Sequence, residues 1–549
     1  MKHKFLGLIE DSIRKNWVLP ALTDYEGATI FYKDFALHIA RLHAYFRAGG
    51  VQKGDKIAIC GRNSSHWAIS FFGTLTYGAV AVSILHEFDK SSVEYIVNHS
   101  DAKVFFVDKA LYQNLDSETM PKLETVVVLD DFSIEHTKSD ELKEFFANAE
   151  SYFKNNFTKD FTANDIDFHK EDEEELAVLN YTSGTTSSPK GVMIPYRSLW
   201  SNTKFANDNL EFIKSGDNIV CILPMAHTYG LAFEILNSLS MGCHIHFLNK
   251  TPSPKIIMET FAKIKPKLVL AVPLIIEKIV TRNVFTEIHK QPVKTLIKIP
   301  FLNILIRKKI KKSLINFFGG NLVEVVIGGA ALNKEVERFL RFIHFPYTVG
   351  YGMTECSPLI AYAYWTEFKK QSCGRVVDRM EAKIDSPNPQ KEVGEILVKG
   401  TNVMLGYYKN EEASQQIMLA DGWMRTGDLG ILDKDNFLFI KGRNKNLILG
   451  ASGQNIYPEE IEDKLNNSAY IQESLVIEED RKVIALIYPD AEAMKQNKVD
   501  PKDYTTFFDK EVKQINETLP SYSKIKLYRI QETEFDKTPK RSIRRFKYQ

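Results

Sequence analysis

An eleven-residue stretch, Tyr181-Thr182-Ser183-Gly184-Thr185-Thr186-Ser187-Ser188-Pro189-Lys190-Gly191, constrains this chain more than any other. The apolar run Leu176–Leu179 before it reads as a short buried strand, and Val192-Met193-Ile194 after it reads as another. Hydroxyl side chains, two glycines and a lysine crowded into one loop serve packing poorly. They suit a phosphate cradle: small residues let backbone N–H groups approach phosphate oxygens, hydroxyls donate or bind a metal, and Lys190 brings positive charge. The competing reading is a polar hairpin turn, since Ser, Gly and Pro are common in turns. The threonines and a Pro-Lys-Gly exit exceed what a turn needs. The P-loop of phosphoryl-transfer NTPases fits poorly, because there the lysine is followed by Ser or Thr and a helix. Here Lys190 leads into Gly191 and a β-branched strand.

A chain of 549 residues has the length for two or more domains and a large core. The formal net charge of +1 excludes a globally basic nucleic-acid binder. Cys60, Cys221, Cys243, Cys356 and Cys373 are scattered, without paired spacing, and read as reduced core residues of a cytosolic protein. Met1-Lys2-His3-Lys4-Phe5 has no apolar core or cleavage site of the kind that directs secretion. The most apolar stretch, residues 67–85, contains Ser70, Gly73, Thr74, Thr76 and Gly78. It reads as a buried helix running into a strand, not a membrane span.

Between residues 28 and 110 helical and strand patterns alternate: helices at 35–48, 67–75 and 93–99, strands at 56–60, 79–84 and 104–107. Another strand follows at 125–129. Such alternation predicts parallel βαβ units covered on both faces. The acidic run 171–175 reads as a solvated helix start or linker. A strand at 218–223 ends in Pro224-Met225-Ala226-His227-Thr228-Tyr229-Gly230. A lone histidine is often structural, yet His227 stands where α/β sheets place ligands. The segment 289–312 holds eight Lys or Arg and no acidic residue, interleaved with Leu, Ile and Phe. It reads either as a solvated helical pair or as an amphipathic surface for anionic lipid headgroups.

Three further stretches carry chemistry. Gly328-Gly329, after a strand at 323–327, lets backbone approach a planar ring. In Gly350-Tyr351-Gly352-Met353-Thr354-Glu355, a hydroxyl suits phosphate and a carboxylate suits Mg2+. Asp428, after the turn beginning at Gly422, suits ribose hydroxyls. Lys441-Gly442-Arg443-Asn444-Lys445-Asn446 and Asn455-Ile456-Tyr457-Pro458-Glu459-Glu460-Ile461-Glu462 follow.

In this order and spacing the stretches resemble the acyl-CoA synthetase branch of the adenylate-forming superfamily, and within it bacterial long-chain fatty-acid–CoA ligases. The resemblance runs from about Gly27 to the C-terminus. It implies an α/β fold: a large N-terminal domain over 1–442, of several subdomains with mostly parallel sheets flanked by helices plus a smaller β subdomain. A small, mobile α+β domain over 443–549 would swing on a hinge near Lys445. It also implies two half-reactions: a fatty carboxylate attacks the α-phosphate of Mg2+·ATP to give acyl-adenylate and pyrophosphate, then the thiol of coenzyme A attacks the acyl carbonyl and AMP leaves. By the resemblance, Thr182, Ser183, Gly184, Thr185, Thr186 and Lys190 serve the phosphates, Thr354 and Glu355 phosphate and metal, with Thr182 a further metal ligand. Asp428 and Arg443 serve the ribose, and Gly328, Gly329, Gly350 and Tyr351 the adenine. Lys445 completes the ATP-binding set, and His227 stands at the carboxylate or fatty-acid gate.

Two departures from the family pattern matter. Ser187 replaces a usual glycine. Aligned without a gap, Lys537-Thr538-Pro539-Lys540-Arg541-Ser542-Ile543-Arg544-Arg545 puts Ser542 where the family presents a catalytic lysine, and Lys540 or Arg541 stands nearby as a substitute. Lys540 is taken as the working cation. Two alternatives stand beside the CoA ligase: transfer of the acyl group to an acyl carrier protein, and a catalytically weak paralogue that binds acyl groups or nucleotides. The expected setting is cytoplasmic, with peripheral contact at the inner membrane face through 289–312. No nucleic-acid partner is expected, and pairing of relatives through the large domain leaves a homodimer open.

Overall fold

The computed structural model describes residues 4–156, 161–182, 189–249, 254–281, 299–449, 454–480, 482–497, 499–538 and 542–549. Its largest sheet has eight strands. Five of them run parallel, in the spatial order Leu176–Thr182, Val80–Ile84, Lys56–Cys60, Ala102–Val107, Thr125–Val128. All five residues of Val80–Ile84 are buried, as a strand covered on both faces requires. The crossovers are the helices Ser65–Tyr77 and Lys90–Ser100, the first capped by the Ser64 hydroxyl and the second by Asp89. The alternation read from residues 28–110 is therefore a run of parallel βαβ units. Antiparallel strands close both edges: Ile134–Thr137 on one side, Lys190–Pro195 and then Gly406–Tyr407 on the other.

Four more sheets lie among the described residues up to Arg443, one of them the small antiparallel sheet of Tyr351–Gly352, Leu359–Tyr362 and Arg375–Val376. Asn218–Cys221, His244–Phe247, Pro20–Asp24 and Thr29–Phe31 form another. Leu268–Ala271, Glu324–Ile327 and Tyr347–Val349 form a parallel sheet with a hydrophobic cluster of its own. The antiparallel strands Met380–Asp385, Gly394–Gly400, Met424–Leu432 and Leu438–Arg443 make a β subdomain. Beyond Arg443, the strands Ile471–Glu479, Lys482–Pro489 and Leu527–Ile530 pack with the helices Pro458–Asn466 and Tyr504–Glu517 around a separate core that includes Ile461, Val476 and Phe508. The fold is α/β with a small α+β part at its C-terminal end.

Residues 67–85 do form a buried helix and strand. No helix among the described residues is long and apolar enough to cross a membrane. All five cysteines are free, four of them buried. The acidic run 171–175 corrects the sequence reading: it forms no helix, and Glu171 is only 2% exposed. Its carboxylate accepts the Leu6 N–H at 3.0 Å and its carbonyl accepts from Lys4, which ties down the N-terminal helix Phe5–Lys15. Burial pushes the Glu171 carboxyl up despite that bond. Of the basic segment, residues 289–298 lie outside the described residues; the rest begins the helix Pro300–Phe317.

Candidate active site

The hydroxyl-rich loop connects two antiparallel strands, Leu176–Thr182 and Lys190–Pro195, with Thr182 directly opposite Lys190. It is therefore a hairpin connection by topology, and the strand after Lys190 rules out the helix that a P-loop needs. Ser183, Gly184, Thr185, Thr186 and Ser187 lie outside the described residues. Gly191 lies close against the Tyr181 ring, where a Cβ would sit 3.0 Å away.

At the mouth of this hairpin two strands bring cation and carboxylate onto one aromatic ring. Gly406–Tyr407 pairs with Val192 and Met193, and so carries the Tyr407 ring to 5.2 Å from the Lys190 ammonium. The Tyr407 hydroxyl donates to Glu355 Oε1 at 2.8 Å. Burial, and after it the Glu355 carboxylate, pushes that hydroxyl far above its ordinary range, so it stays a donor across the physiological span. Glu355 is held from its backbone too, with its carbonyl accepting the Met404 N–H at 2.9 Å. Thr354 and Glu355 lie in a single 3-10 turn, Thr354–Cys356, with Thr354 buried. Gly352 permits the turn: a Cβ there would lie 2.2 Å from the Pro358 carbonyl oxygen.

A second cluster sits on the β subdomain. Asp428 faces Arg443 across the pair Met424–Leu432 and Leu438–Arg443. Tyr351 donates its hydroxyl to Asp428 Oδ2 at 2.6 Å, and Arg443 Nε lies 3.2 Å from Oδ1. Burial pushes the Asp428 carboxyl up; Arg443 and the Tyr351 hydroxyl oppose it, while the Glu355 charge adds to it. The Asp428 and Glu355 carboxylates are thus electrically in reach of each other. Each engaged Asp428 oxygen keeps a second lone pair for a ligand hydroxyl. Lys445 is exposed on the single turn Asn444–Asn446. Beside it Gly442 is pressed against Glu459, whose Oε2 would lie 2.8 Å from a Cβ, and Asn446 donates to Glu459 Oε1 at 2.5 Å.

The His227 turn is built from below. His227 Nδ1 accepts the Tyr229 N–H at 3.2 Å, so the imidazole caps the helical turn Thr228–Gly230 as well as facing outward from it in part. Asn180, two residues before Thr182, donates to the Ala226 carbonyl at 2.7 Å. Asn63 holds the same turn, donating to the Leu223 carbonyl at 2.7 Å and accepting the Met225 N–H at 2.9 Å. Glu234, in the wide-turn helix Leu231–Leu236, takes the N–H groups of Ile222 and Leu223 at 3.4 and 3.1 Å. Its complete burial raises the carboxyl to about 8. The Tyr229 ring packs on Gly328, where a Cβ would meet it at 3.1 Å, and its hydroxyl donates to the Val326 carbonyl at 3.0 Å. Gly329 takes φ +87°, open to glycine, and Gly350 N–H bonds the Ile327 carbonyl at 2.9 Å.

Lys540 and Arg541 lie outside the described residues. The residues on either side of them pair: Lys537 bridges Ile543, and Thr538 N–H donates to the Ser542 carbonyl at 2.8 Å. Arg545 anchors this arm, donating to the Glu462 carboxylate and to the Val476 carbonyl at 3.1 Å.

The structure thus brings Thr182, Lys190, Glu355 and Thr354 to one hairpin mouth, with Tyr351, Asp428 and Arg443 alongside. Tyr407, Asn180, Asn63 and Glu234 belong to the same frame, and the sequence analysis did not single them out. Only Glu234 left a visible trace, as a charged residue inside the run Leu231-Ala232-Phe233-Glu234-Ile235-Leu236. Chemically, an ammonium and an oriented carboxylate at a hairpin mouth suit a polyphosphate carried with a hard divalent cation.

Comparison with known proteins bears on this geometry. Residues 9–408 match the family model described as AMP-binding enzyme, and residues 445–549 the model for the AMP-binding enzyme C-terminal domain. The long-chain-fatty-acid–CoA ligase of Bacillus subtilis is 28% identical over 478 residues, 82% of this chain and 79% of that protein. The FadD15 ligase of the same name from Mycobacterium bovis is also 28% identical, over 88% of this chain and 84% of its own length. Among solved structures, the anthranilate CoA ligase AuaEII bound to anthranoyl-AMP superposes with a TM-score of 0.80 at 20% identity, covering 100% of this chain and 98% of that one. Since the first model alone spans well over half of the residues, the chain belongs to the AMP-binding enzyme family of adenylate-forming proteins.

Proposed function

We propose that this protein couples ATP cleavage to formation of an acyl-adenylate and then of an acyl thioester with coenzyme A, its acid a long-chain fatty acid. The observation that carries the reading is the Lys190–Tyr407–Glu355 stack at the mouth of the hydroxyl-rich hairpin, in a chain of this family. The long-chain preference is supported by the names of similar ligases, which also include an aryl-acid enzyme among the structures.

In the first half-reaction a carboxylate oxygen bonds to the α-phosphorus and the bond to the bridging oxygen of pyrophosphate breaks. Two anions must meet, so neutralisation and in-line positioning matter more than a strong base. Lys190, with the hairpin backbone and hydroxyls, holds the β- and γ-phosphates. Glu355 and Thr182 offer hard oxygen donors that would hold Mg2+. Bound with ATP, the cation would supply charge that neutralises the polyphosphate. Asp428 accepts from ribose hydroxyls, and Arg443 and Tyr351 keep its carboxylate aimed. The glycines 328, 329 and 350 leave room for adenine, and His227 stands at the acyl entrance. In the second half-reaction sulfur bonds to the acyl carbon, the carbon–oxygen bond to AMP breaks, and the thiol proton goes to solvent.

We divide the chain at 442/443 and assign the hinge to Lys445, where one exposed turn links two hydrophobic cores. Lys540, between the paired Thr538 and Ser542, is our candidate for the cation that reaches the α-phosphate. Ser542 favours a second reading: a chain with serine at the family's lysine position adenylates slowly and acts as a weak acyl or nucleotide binder. Incubation with ATP, Mg2+, coenzyme A and acids of graded length, read by mass spectrometry, separates these. The account expects AMP, pyrophosphate and acyl-CoA with an optimum at long chains. ADP as product, or no consumption with any acid, counts against it. Acyl-AMP that accumulates until an acyl carrier protein is added would replace coenzyme A as the acceptor.

A further inference from the structure

The helix Pro300–Phe317 is fixed to the body at one end and open at the other. Leu314 and Phe318 are buried in the cluster around the parallel sheet of Glu324–Ile327. Earlier in the helix, Leu302, Ile304 and Leu305 are 36%, 52% and 57% exposed. Three uncovered aliphatics within four residues are an apolar patch that water alone does not favour. Lys308, Lys309 and Lys312 continue the same outward side, also exposed. The helix holds no acidic residue. From Leu302 to Lys312 the stripe is about 15 Å long, aliphatic at one end and cationic at the other.

The sorting of its cations says what it meets. Arg307 is turned inward over the Phe342 ring at 4.5 Å, and Lys311 over the Trp365 indole at 5.7 Å. Protein–protein interfaces concentrate aromatic residues and arginine and avoid lysine. Here Arg307 and Lys311 lie on aromatic rings of the body, while Lys308, Lys309 and Lys312 with Leu302, Ile304 and Leu305 face out. A bilayer interface takes this pattern: aliphatic tips enter the headgroup–acyl boundary while flexible ammonium groups meet lipid phosphates. We propose that the outward side of Pro300–Phe317 docks the protein on a membrane surface containing anionic lipid.

The test is co-sedimentation of the full chain with vesicles of phosphatidylcholine alone and of phosphatidylcholine with one-third phosphatidylglycerol. The expected result is partition onto the anionic vesicles that falls as salt rises. Lys308→Gln/Lys309→Gln/Lys312→Gln should lower that partition on the order of 100-fold. Leu302→Ser/Leu305→Ser should lower it about tenfold or more. Both variants should keep the wild-type melting temperature and rate on a water-soluble acid. Should a variant fail to fold, a fluorophore on Ser313→Cys reports instead, with a blue shift on anionic vesicles alone supporting the proposal. No partition of the wild type, equal partition on both vesicle types, or an unaffected lysine variant overturns it. Capture of an acidic carrier protein, lost in the lysine variant while no vesicle binds, would assign the surface to a protein instead.

Discussion

Around Glu355 the clustered groups are fixed by the pairing of separate strands, whereas the C-terminal arm pairs only with itself and is tied to its neighbours by ion pairs. Tyr407 reaches Glu355 because its strand is hydrogen-bonded to the edge of the eight-stranded sheet, and Asp428 meets Arg443 by strand register. The arm around residues 537–545 is held by Arg545 on Glu462 and by Lys537 on Glu473 at 2.7 Å. On the proposed function, a site that holds ATP in one geometry gains from the first kind of construction. The arm's ion pairs both lie within residues 443–549, so they hold it to the part proposed to turn about Lys445 and would travel with it.

Four changes break or sharpen that comparison. Glu355→Gln should leave the fold unchanged, as judged by melting temperature, and cut adenylation on the order of a thousandfold, through loss of the metal-binding charge. Arg545→Met should do the reverse. It removes the partner of the part-buried Glu462 carboxylate and should cost about 1–3 kcal/mol of C-terminal stability by urea denaturation. Adding Glu462→Leu should restore most of it. If Arg545→Met is harmless, the arm is not held as described.

Tyr407→Phe keeps the ring under Lys190 but removes the donor to Glu355. Weaker Mg2+·ATP binding by roughly tenfold is expected, measured by calorimetry without acid substrate. The smallest effect concerns Glu234, whose carboxyl is raised to about 8 in the fold from an ordinary 4.5. Between those values the folded state holds a proton that the unfolded state has lost, so the contribution to stability is full below 4.5 and is lost as pH climbs to 8. Glu234→Gln should therefore flatten the fall of melting temperature between pH 5 and 8; an unchanged slope would assign the titration to another group.

Much of this was legible in the sequence, for identifiable reasons. The βαβ run showed because Val80–Ile84 and its neighbours are buried on both faces and so read as unbroken apolar runs. Thr182 and Lys190 stood out because a loop so rich in hydroxyls and glycine is rare without a task, whereas Glu355, Asp428 and Arg443 took their roles from the order and spacing of the motifs in the family that the chain resembles. Tyr407 did not, since a tyrosine in a short edge strand looks like any other, and its partner Glu355 lies 52 residues away. Asn63 and Asn180 act through single side-chain bonds to a distant turn, which leave no periodicity to read. Glu171 misled because a run of acids normally faces water, and only tertiary packing against Leu6 singles out one member for burial. At the C-terminal arm, the Thr538 N–H meets the Ser542 carbonyl, yet nothing local favours Lys540 over Arg541 for the role proposed.

The most direct measurement is exchange of labelled pyrophosphate into ATP, run with and without a long-chain fatty acid before any coenzyme A is added. The account predicts label in ATP only when the acid is present, with AMP appearing once coenzyme A is supplied. Exchange without acid, or ADP in place of AMP, would contradict it.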